Sequence, residues 1–232
     1  MIQICYTNSN TSDIWDMFYD QNRKFCSYPL YLLSDVPHNG RKYKNIYIYK
    51  NSQPYWETWV QTLEDINPEF FIYLQEDFVL YNKVNEDKLN EYKEFLKNNS
   101  KYSFIRLIKS GYLNDIQFSP TLFEIESNNE NIFSMQPTIW RTSDFIKLYK
   151  SVKASKWFEN EMYLQKCLEL NIKGLYHYDN ELKRGENHYD SNVYPYIATA
   201  LVKGKWNITE YPNELNPLLK SYGFNQNIRG TI

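Results

Sequence analysis

Five apolar residues, Phe70-Phe71-Ile72-Tyr73-Leu74, run straight into Gln75-Glu76-Asp77 and then into a second apolar run, Phe78-Val79-Leu80. A continuous apolar run of this length, rich in aromatic residues, reads as a strand covered on both faces. Two acids interrupting buried chain must be satisfied, because an unpaired carboxylate is costly away from water. In an open α/β sheet, ligands gather outside the carboxyl ends of the strands. Glu76 and Asp77 would then sit where a metal ion or a substrate hydroxyl could meet them. The plain alternative is a solvated turn with both acids facing water; the apolar residues on either side weigh against it.

The surrounding pattern predicts that sheet. Ile2 to Tyr6 is a first strand, running into the polar loop Thr7 to Asp13, whose side chains suit the start of a helix carrying Ile14, Trp15, Phe18 and Tyr19. Tyr31 to Leu33 is a second strand, ending at Ser34-Asp35, and Ile46 to Tyr49 is a third. Ser52 caps a segment with Tyr55, Trp56, Trp59, Val60 and Leu63 at helical spacing. Strands alternating with helices up to Phe70–Leu74 argue for a parallel, doubly wound sheet.

The second half changes character. Leu89, Tyr92 and Leu96 mark a helix after Asn85, and Tyr102 to Ile108 a strand. Ile116 to Ile125 and Ile132 to Trp140 read as a hairpin-like pair joined through Asn128-Asn129. Thr142 or Ser143 caps a helix with Phe145, Ile146, Tyr149 and Val152, a second helix covers Phe158 to Leu170, and Lys173 to Tyr178 is a last strand. Asn180 to Asn192 shows little order signal. The last thirty residues, with Pro212, Pro217 and Gly223, read as an irregular tail. The expected fold class is therefore α/β, a Rossmann-type mixed sheet flanked by helices in a single domain.

Bulk properties narrow the function. The 232 residues carry 26 basic against 28 acidic side chains, a formal charge of −2, which leaves no field to attract nucleic acid. The aromatic fraction of 18%, with 22 Tyr and 6 Trp, supplies half-buried amphipathic rings of the kind that line polar-ligand clefts. Cys5, Cys26 and Cys167 are too far apart for a disulfide framework or a closely spaced zinc site, which fits a reducing compartment. No apolar stretch reaches the roughly 20 residues that span a bilayer. Met1-Ile2-Gln3 opens a strand-like segment rather than a signal sequence. These features lead us to expect a cytoplasmic protein, with peripheral contact at the inner face of the membrane left open.

Three stretches, in order along the chain, carry a resemblance to the GT-A fold of nucleotide-sugar-dependent glycosyltransferases, in particular small transferases that build bacterial or viral surface glycans. Tyr73 to Leu80 resembles the metal-binding acidic motif at the end of the central strand, although here the acids are adjacent rather than separated by one residue. Trp157-Phe158-Glu159-Asn160-Glu161-Met162-Tyr163 is similar to the acidic helix start that supplies the base in inverting members. Arg184 to Tyr189, with Tyr194-Pro195-Tyr196 and Lys203-Gly204-Lys205-Trp206-Asn207 behind it, looks like the region that folds over the diphosphate. The resemblance implies a nucleotide-binding half over about residues 1–82, an acceptor-binding half over about 83–210 and a C-terminal tail, together one domain.

It also implies roles. Asp77 would hold Mn²⁺ or Mg²⁺, which takes one or two carboxylates plus phosphate oxygens, with His188 either completing the shell, bonding a phosphate or lying at the surface. Glu161 or Glu159, in apolar surroundings that raise a carboxyl pKa, would deprotonate the acceptor; helix starts also favour acids for capping reasons alone. Lys203, Lys205 and Arg184 would neutralise the leaving diphosphate, or simply form a solvated edge. Thr7, Asn8 and Ser9 at the first strand end, Asp35 at the second and Glu76 would contact the nucleotide sugar, or Asp35 in Ser34-Asp35-Val36-Pro37 is a plain turn residue. Trp140 and Arg141 would form a platform for the glycan or glycolipid acceptor. No glycine-rich phosphate loop is present. Two other readings stand beside this one: a sugar nucleotidyltransferase, which normally needs a glycine-rich basic loop that Thr7 to Ser12 lacks, and a non-catalytic glycan-binding module.

Overall fold

The computed structural model describes residues 1–37, 43–111, 113–154 and 160–232. Four strands open the chain in parallel: β1 (Ile2–Tyr6), β2 (Leu30–Ser34), β3 (Ile46–Ile48) and β4 (Phe70–Gln75). Helix α1 (Trp15–Phe25) crosses between the first two and α2 (Tyr55–Ile66) between the last two. Every residue from Phe70 to Leu74 is buried, as a central strand with both faces covered requires. In α2, Tyr55, Trp59, Val60 and Leu63 form one buried stripe, and the helix ends where Asn67 turns left-handed at φ 50°. Its start differs from expectation: Pro54, not Ser52, is the cap residue, and no side chain caps the first turn.

The acids lie in a tight turn, with the Phe78 amide donating to the Gln75 carbonyl at 3.1 Å. The short strand β5 (Val79–Leu80) follows, then α3 (Glu86–Asn98), β6 (Phe104–Arg106), β7 (Ile116–Gln117), β8 (Leu122–Ile125), β9 (Thr138–Arg141), α4 (Thr142–Val152), α5 (Asn160–Glu169) and β10 (Gly174–His177). Among the described residues the main sheet has nine strands, in the order β3-β2-β1-β4-β9-β6-β10-β8-β7. β9 runs antiparallel to both neighbours, with Phe71 opposite Trp140 and Ile105 opposite Ile139. This is the mixed α/β sheet flanked by helices that the sequence predicts.

The expected hairpin between residues 116–125 and 132–140 is not formed. β7 and β8 pair with each other inside the first segment, while β9 slots between β4 and β6, with two strands separating it from β8. The physical reason is burial: Thr138, Ile139 and Trp140 are all buried and need cover on both faces, whereas Ile116 and Gln117 are exposed and suit the sheet edge.

Residues past β10 also hold more order than expected. β11 (Lys183–Arg184) and β12 (His188–Tyr189) make a hairpin, β13 (Tyr196–Ile197) pairs with β5, and β14 (Leu201–Val202) pairs with β15 (Lys205–Trp206). The tail is helical, as α6 (Pro212–Ser221) and α7 (Gln226–Arg229). Pro212 sits in the first turn of α6, where a missing amide proton costs nothing. Leu215 and Leu219, four apart, bury one face. Among the described residues no helix is long and apolar enough to cross a membrane.

On one face of the sheet, Trp59, Phe104, Trp140, Phe145 and Tyr149 pack as a continuous aromatic layer, with Phe104 and Trp140 ring centroids 4.4 Å apart. Gly174 makes room for it: a Cβ there would lie 2.0 Å from Phe104 Cζ. The ring is wedged against Trp140 and has little freedom to retreat. Gly174→Ala should destabilise the fold by about 1–3 kcal/mol, the usual cost of overpacking. Denaturant titration of the two proteins checks this, and an unchanged midpoint would contradict it.

Candidate active site

The carboxyl ends of β1 and β4 open into a cavity of about 680 Å³ that both Glu76 and Asp77 line. Its floor is built by the loop after β1. Thr7 gives both its amide and its hydroxyl to the Leu33 carbonyl, each at 2.8 Å, and so ties β1 to β2 while itself buried. Asn8 accepts the Asn10 amide at 3.0 Å and turns the chain into a 3-10 segment, Ser9–Ile14. Ser9 binds the Asp35 carboxylate twice, through its amide at 2.8 Å and its hydroxyl at 2.6 Å. Asp35 and Ser9 thus satisfy one another and brace the loop, while Asn8 and Thr11 face the cavity.

Thr11 reaches across to Glu76. Its hydroxyl lies 2.8 Å from the Asn8 carbonyl and 2.5 Å from Glu76 Oε1. The Thr11 hydroxyl, directed at both oxygens, holds the Glu76 carboxylate in place. Burial pushes the Glu76 carboxyl up to about 7, opposed by the Thr11 hydrogen bond. Asp77 is pushed to about 8 by burial and then by the charge of Glu76. Neither acid has an ion-pair partner among the described residues. Both are only half-buried, with their remaining surface turned toward the cavity.

Aromatic and amide side chains complete the walls, and the sequence reading did not single them out. Tyr6 stacks on Tyr49 at 5.0 Å and meets Tyr55 edge-on at 4.8 Å, forming a rigid shelf. The Tyr49 hydroxyl donates to the Thr7 carbonyl at 2.8 Å. Gln75 and Gln136 face the cavity, Gln75 donating to the Tyr73 hydroxyl at 3.0 Å and Gln136 accepting from the Tyr196 hydroxyl. The loop bearing Gln136 is pinned by Arg106, a fully buried side chain at the end of β6 that donates to the Asn131 carbonyl at 2.6 Å. Burial lowers that guanidinium to about 10. The signal for Tyr6 was its place at the end of β1; nothing local marked Gln136, which arrives from a distant loop.

The roof is the β14–β15 hairpin. Ala200 donates to the Asp77 carbonyl at 3.2 Å, and Lys203 and Gly204 make a two-residue turn with φ of 50° and 78°. Two positive φ values define the tight hairpin turn whose twist matches its strands. The structure separates the lysine pair: both are exposed, but Lys203 lines the cavity whereas Lys205 is not part of its wall.

Four predicted residues have other work. Trp140 is 2% exposed inside the aromatic layer, and Arg141 donates to the Leu96 and Tyr102 carbonyls and pairs with Asp144 at 3.2 Å. Arg141 lies opposite Phe70 at the start of β4, five residues before Gln75 and so roughly 17 Å from the cavity end at about 3.3 Å per residue. They form no acceptor platform. Arg184 is fully engaged: its Nε contacts Asp190 at 3.0 Å, Nη2 contacts Glu214 at 2.7 Å, and it stacks over Tyr211. It therefore fastens α6 and is not free for phosphate. His188 has its Nε2 3.4 Å from the Gln136 amide nitrogen and its Nδ1 3.6 Å from Glu210 Oε2, with burial lowering its pKa. Donation from Gln136 to Nε2 leaves the ring proton on Nδ1, facing Glu210. Among the described residues no three His, Cys, Asp or Glu side chains converge, so His188 does not join the acid pair in a metal shell. Glu159 lies outside the described residues, and of Glu161 only its place in the first turn of α5 is described.

The donor set at β4 still fits a hard divalent cation. Two adjacent carboxylates without a cationic partner, held at raised pKa, match the one or two protein carboxylates that Mg²⁺ or Mn²⁺ takes when phosphate oxygens supply the remainder.

No protein-family model matches the chain, and no curated protein does. Among solved structures, the chain is similar to a CMP:2-keto-3-deoxy-manno-octonic acid synthetase complexed with CTP, at 10% identity over 75% of this chain and 88% of that one, with a TM-score of 0.48. It is similar to a cytidylyltransferase from Leptospira borgpetersenii, at 12% identity over 85% and 81%, TM-score 0.46. For the bifunctional IspDF from Campylobacter jejuni the values are 14%, 84% of this chain and 52% of that one, and 0.47. None of the three is described as a glycosyltransferase. At these TM-scores and identities the likeness assigns no chemistry to the present chain.

The raised acids make stability depend on pH in a defined direction. A carboxyl that holds its proton more tightly when folded contributes stability that is complete below its unfolded pKa, near 4, and is lost as pH rises through the folded values of about 7 and 8. The melting temperature without metal should therefore fall between pH 5 and pH 8.5. In a Glu76→Gln, Asp77→Asn variant this slope should flatten. Thermal scans across that range check both statements, and equal slopes would contradict them.

Proposed function

We propose that the protein is a nucleotide-sugar-dependent glycosyltransferase, inverting and assisted by Mn²⁺ or Mg²⁺, that moves a sugar to a glycan or glycolipid hydroxyl. The observation that carries this reading is the pair of acids at the end of β4, without an ion-pair partner among the described residues, facing a 680 Å³ cavity roofed by Lys203. A nucleoside diphosphate brings the phosphate oxygens that a two-carboxylate site lacks. The Tyr6–Tyr49 shelf offers a flat face to a base or sugar ring. Gln75 and Gln136 offer amide groups to hydroxyls.

In the proposed reaction the acceptor oxygen attacks the anomeric carbon, and the bond from that carbon to the diphosphate oxygen breaks with its electrons leaving on the diphosphate. The acceptor proton passes to a carboxylate, for which Glu161 and Glu159 remain the candidates. Lys203, held over the cavity by its hairpin, faces the growing negative charge, where a preplaced cation is worth most. A bound divalent cation, held by Asp77 with Glu76 beside it, would neutralise the same charge. Thr11 orients Glu76, and Asp35 holds Ser9 and the loop in place. Cytoplasmic donor pools would suit such an enzyme, with the acceptor presented at a membrane surface or on a soluble glycan.

Nucleotidyl transfer to a sugar is the second reading, because it too needs carboxylates, a metal and a nucleotide in one cleft, and one of the similar solved structures is described as a cytidylyltransferase. The loop after β1 weighs against it. Thr7 to Ser12 carries no glycine or lysine to receive a triphosphate.

The test is a two-armed assay: release of nucleoside diphosphate from a panel of nucleotide sugars with Mn²⁺ and saccharide acceptors, and release of pyrophosphate from nucleoside triphosphates with sugars or sugar phosphates. Diphosphate release that falls roughly 10²–10³-fold in Asp77→Asn supports the proposal. Pyrophosphate release alone would replace it with the second reading. Lys203→Ala should weaken diphosphate binding by roughly tenfold, as loss of a charged hydrogen bond does, while Lys205→Ala leaves it within twofold. Calorimetry on the two variants reads the difference, and equal losses would contradict the placement of Lys203.

A further inference from the structure

Two lips of the cavity come from segments far apart in sequence: the 3-10 segment after β1, which contributes Asn10 and Thr11, and the β14–β15 turn, which contributes Lys203 and Gly204. A third segment, residues 226–232, binds both. Arg229 at the end of α7 grips Asp13 with two nitrogens, Nε donating to Oδ2 at 2.7 Å and Nη2 to Oδ1. Its remaining nitrogen, Nη1, donates to the Gly204 carbonyl at 3.2 Å. The guanidinium also lies over the Trp206 ring, 5.9 Å from its centroid. One planar fork thus spans the two lips, a geometry that arginine supplies and lysine does not.

The backbone reinforces the link. Trp206 donates to the Gly230 carbonyl and Ile232 donates to the Trp206 carbonyl, each at 3.0 Å, so the chain after α7 runs alongside β15 as an added strand. Trp206 is 1% exposed and packs on Phe224, which anchors this strap to the core. No residue of 226–232 lines the cavity. The strap therefore has no direct part in holding a ligand. The side chain of Arg229 is only 16% exposed, and its three nitrogens end on the two lips.

We propose that Arg229 is a positioning residue: by joining Asp13 to Gly204 it fixes the distance between the loop after β1 and the Lys203 hairpin, and so sets the affinity of the cavity for its nucleotide. This rests on the reading of the cavity as a nucleotide site. The Arg229 contacts are what join the hairpin tip to the loop. Without them the hairpin stays attached at its base, through Ala200 to Asp77, while its tip swings free.

The experiment compares wild type with Arg229→Ala, Arg229→Lys, Asp13→Asn and the swapped pair Asp13→Arg with Arg229→Glu. Two readouts are taken on each: hydrogen exchange of amides 201–206 together with trypsin cleavage after Lys203 and Lys205, and calorimetric Kd for UDP, GDP and CDP with Mn²⁺. Arg229→Ala and Asp13→Asn should each speed exchange and cleavage, and weaken diphosphate binding, by roughly three- to tenfold, the range for a partly exposed charge network. Arg229→Lys should fall between, and the swapped pair should recover most of both losses, which a merely structural residue would not allow. Unchanged exchange in Arg229→Ala, or a freed hairpin with unchanged Kd, would overturn the proposal. A wild type that binds none of the three diphosphates, yet shows a protected hairpin that the variants lose, would overturn the nucleotide reading of the cavity and still support the strap.

Discussion

The pairing of Val79 and Leu80 with Ile197 and Tyr196 decides where the two acids can go. It buries the chain immediately after Asp77, and the Phe78 ring packs on Tyr196 at 5.4 Å. The chain before Glu76 is the buried central strand. Glu76 and Asp77 are therefore confined to a turn between two buried segments and line the cavity. The same pairing delivers the roof, because Ala200 follows Ile197 by three residues and meets the Asp77 carbonyl before the hairpin doubles back. One short antiparallel contact thus sets the acids, the lysine above them and the gap between.

Electrostatics then explains why such a place invites a ligand. Two carboxyls side by side, with Thr11 on one and no ion-pair partner on either among the described residues, stay protonated into the neutral range because burial disfavours their charged forms and, for Asp77, because Glu76 lies beside it. A metal with a diphosphate would reverse that balance, drawing both acids into their charged form and bringing Lys203 into use. The surrounding braces do not depend on this exchange. Ser9 on Asp35, Thr7 on Leu33 and Arg106 on Asn131 hold the walls through hydrogen bonds that involve neither Glu76 nor Asp77.

What could be read from the sequence follows the range of the forces involved. The four parallel strands and their helices were legible because burial writes itself locally, as runs such as Phe70 to Leu74 and spacings such as Tyr55, Trp59, Leu63. The acid pair was legible because it interrupts that pattern. The position of β9 was not, since a buried strand looks alike whichever neighbours cover it. Trp140 and Arg141 were misplaced for the same reason: residue type suggested a sugar platform, but strand direction puts Arg141 at the far end of β4. Arg184 looked like a phosphate ligand because the sequence hides its partners Asp190 and Glu214, one of them thirty residues away. Gln136 and the Arg229 strap arise wholly from contacts across long sequence separations, which no local pattern encodes.

The central claim is that the end of β4 binds a divalent cation and a diphosphate together. A crystal of the wild-type protein with UDP, GDP or CDP and Mn²⁺, with diffraction collected at the manganese absorption edge, tests it directly. The expected result is an anomalous peak beside the Asp77 carboxylate, with the diphosphate seated in the cavity that Lys203 lines. A diphosphate bound elsewhere, or one seated in the cavity with manganese absent from Asp77, would contradict it.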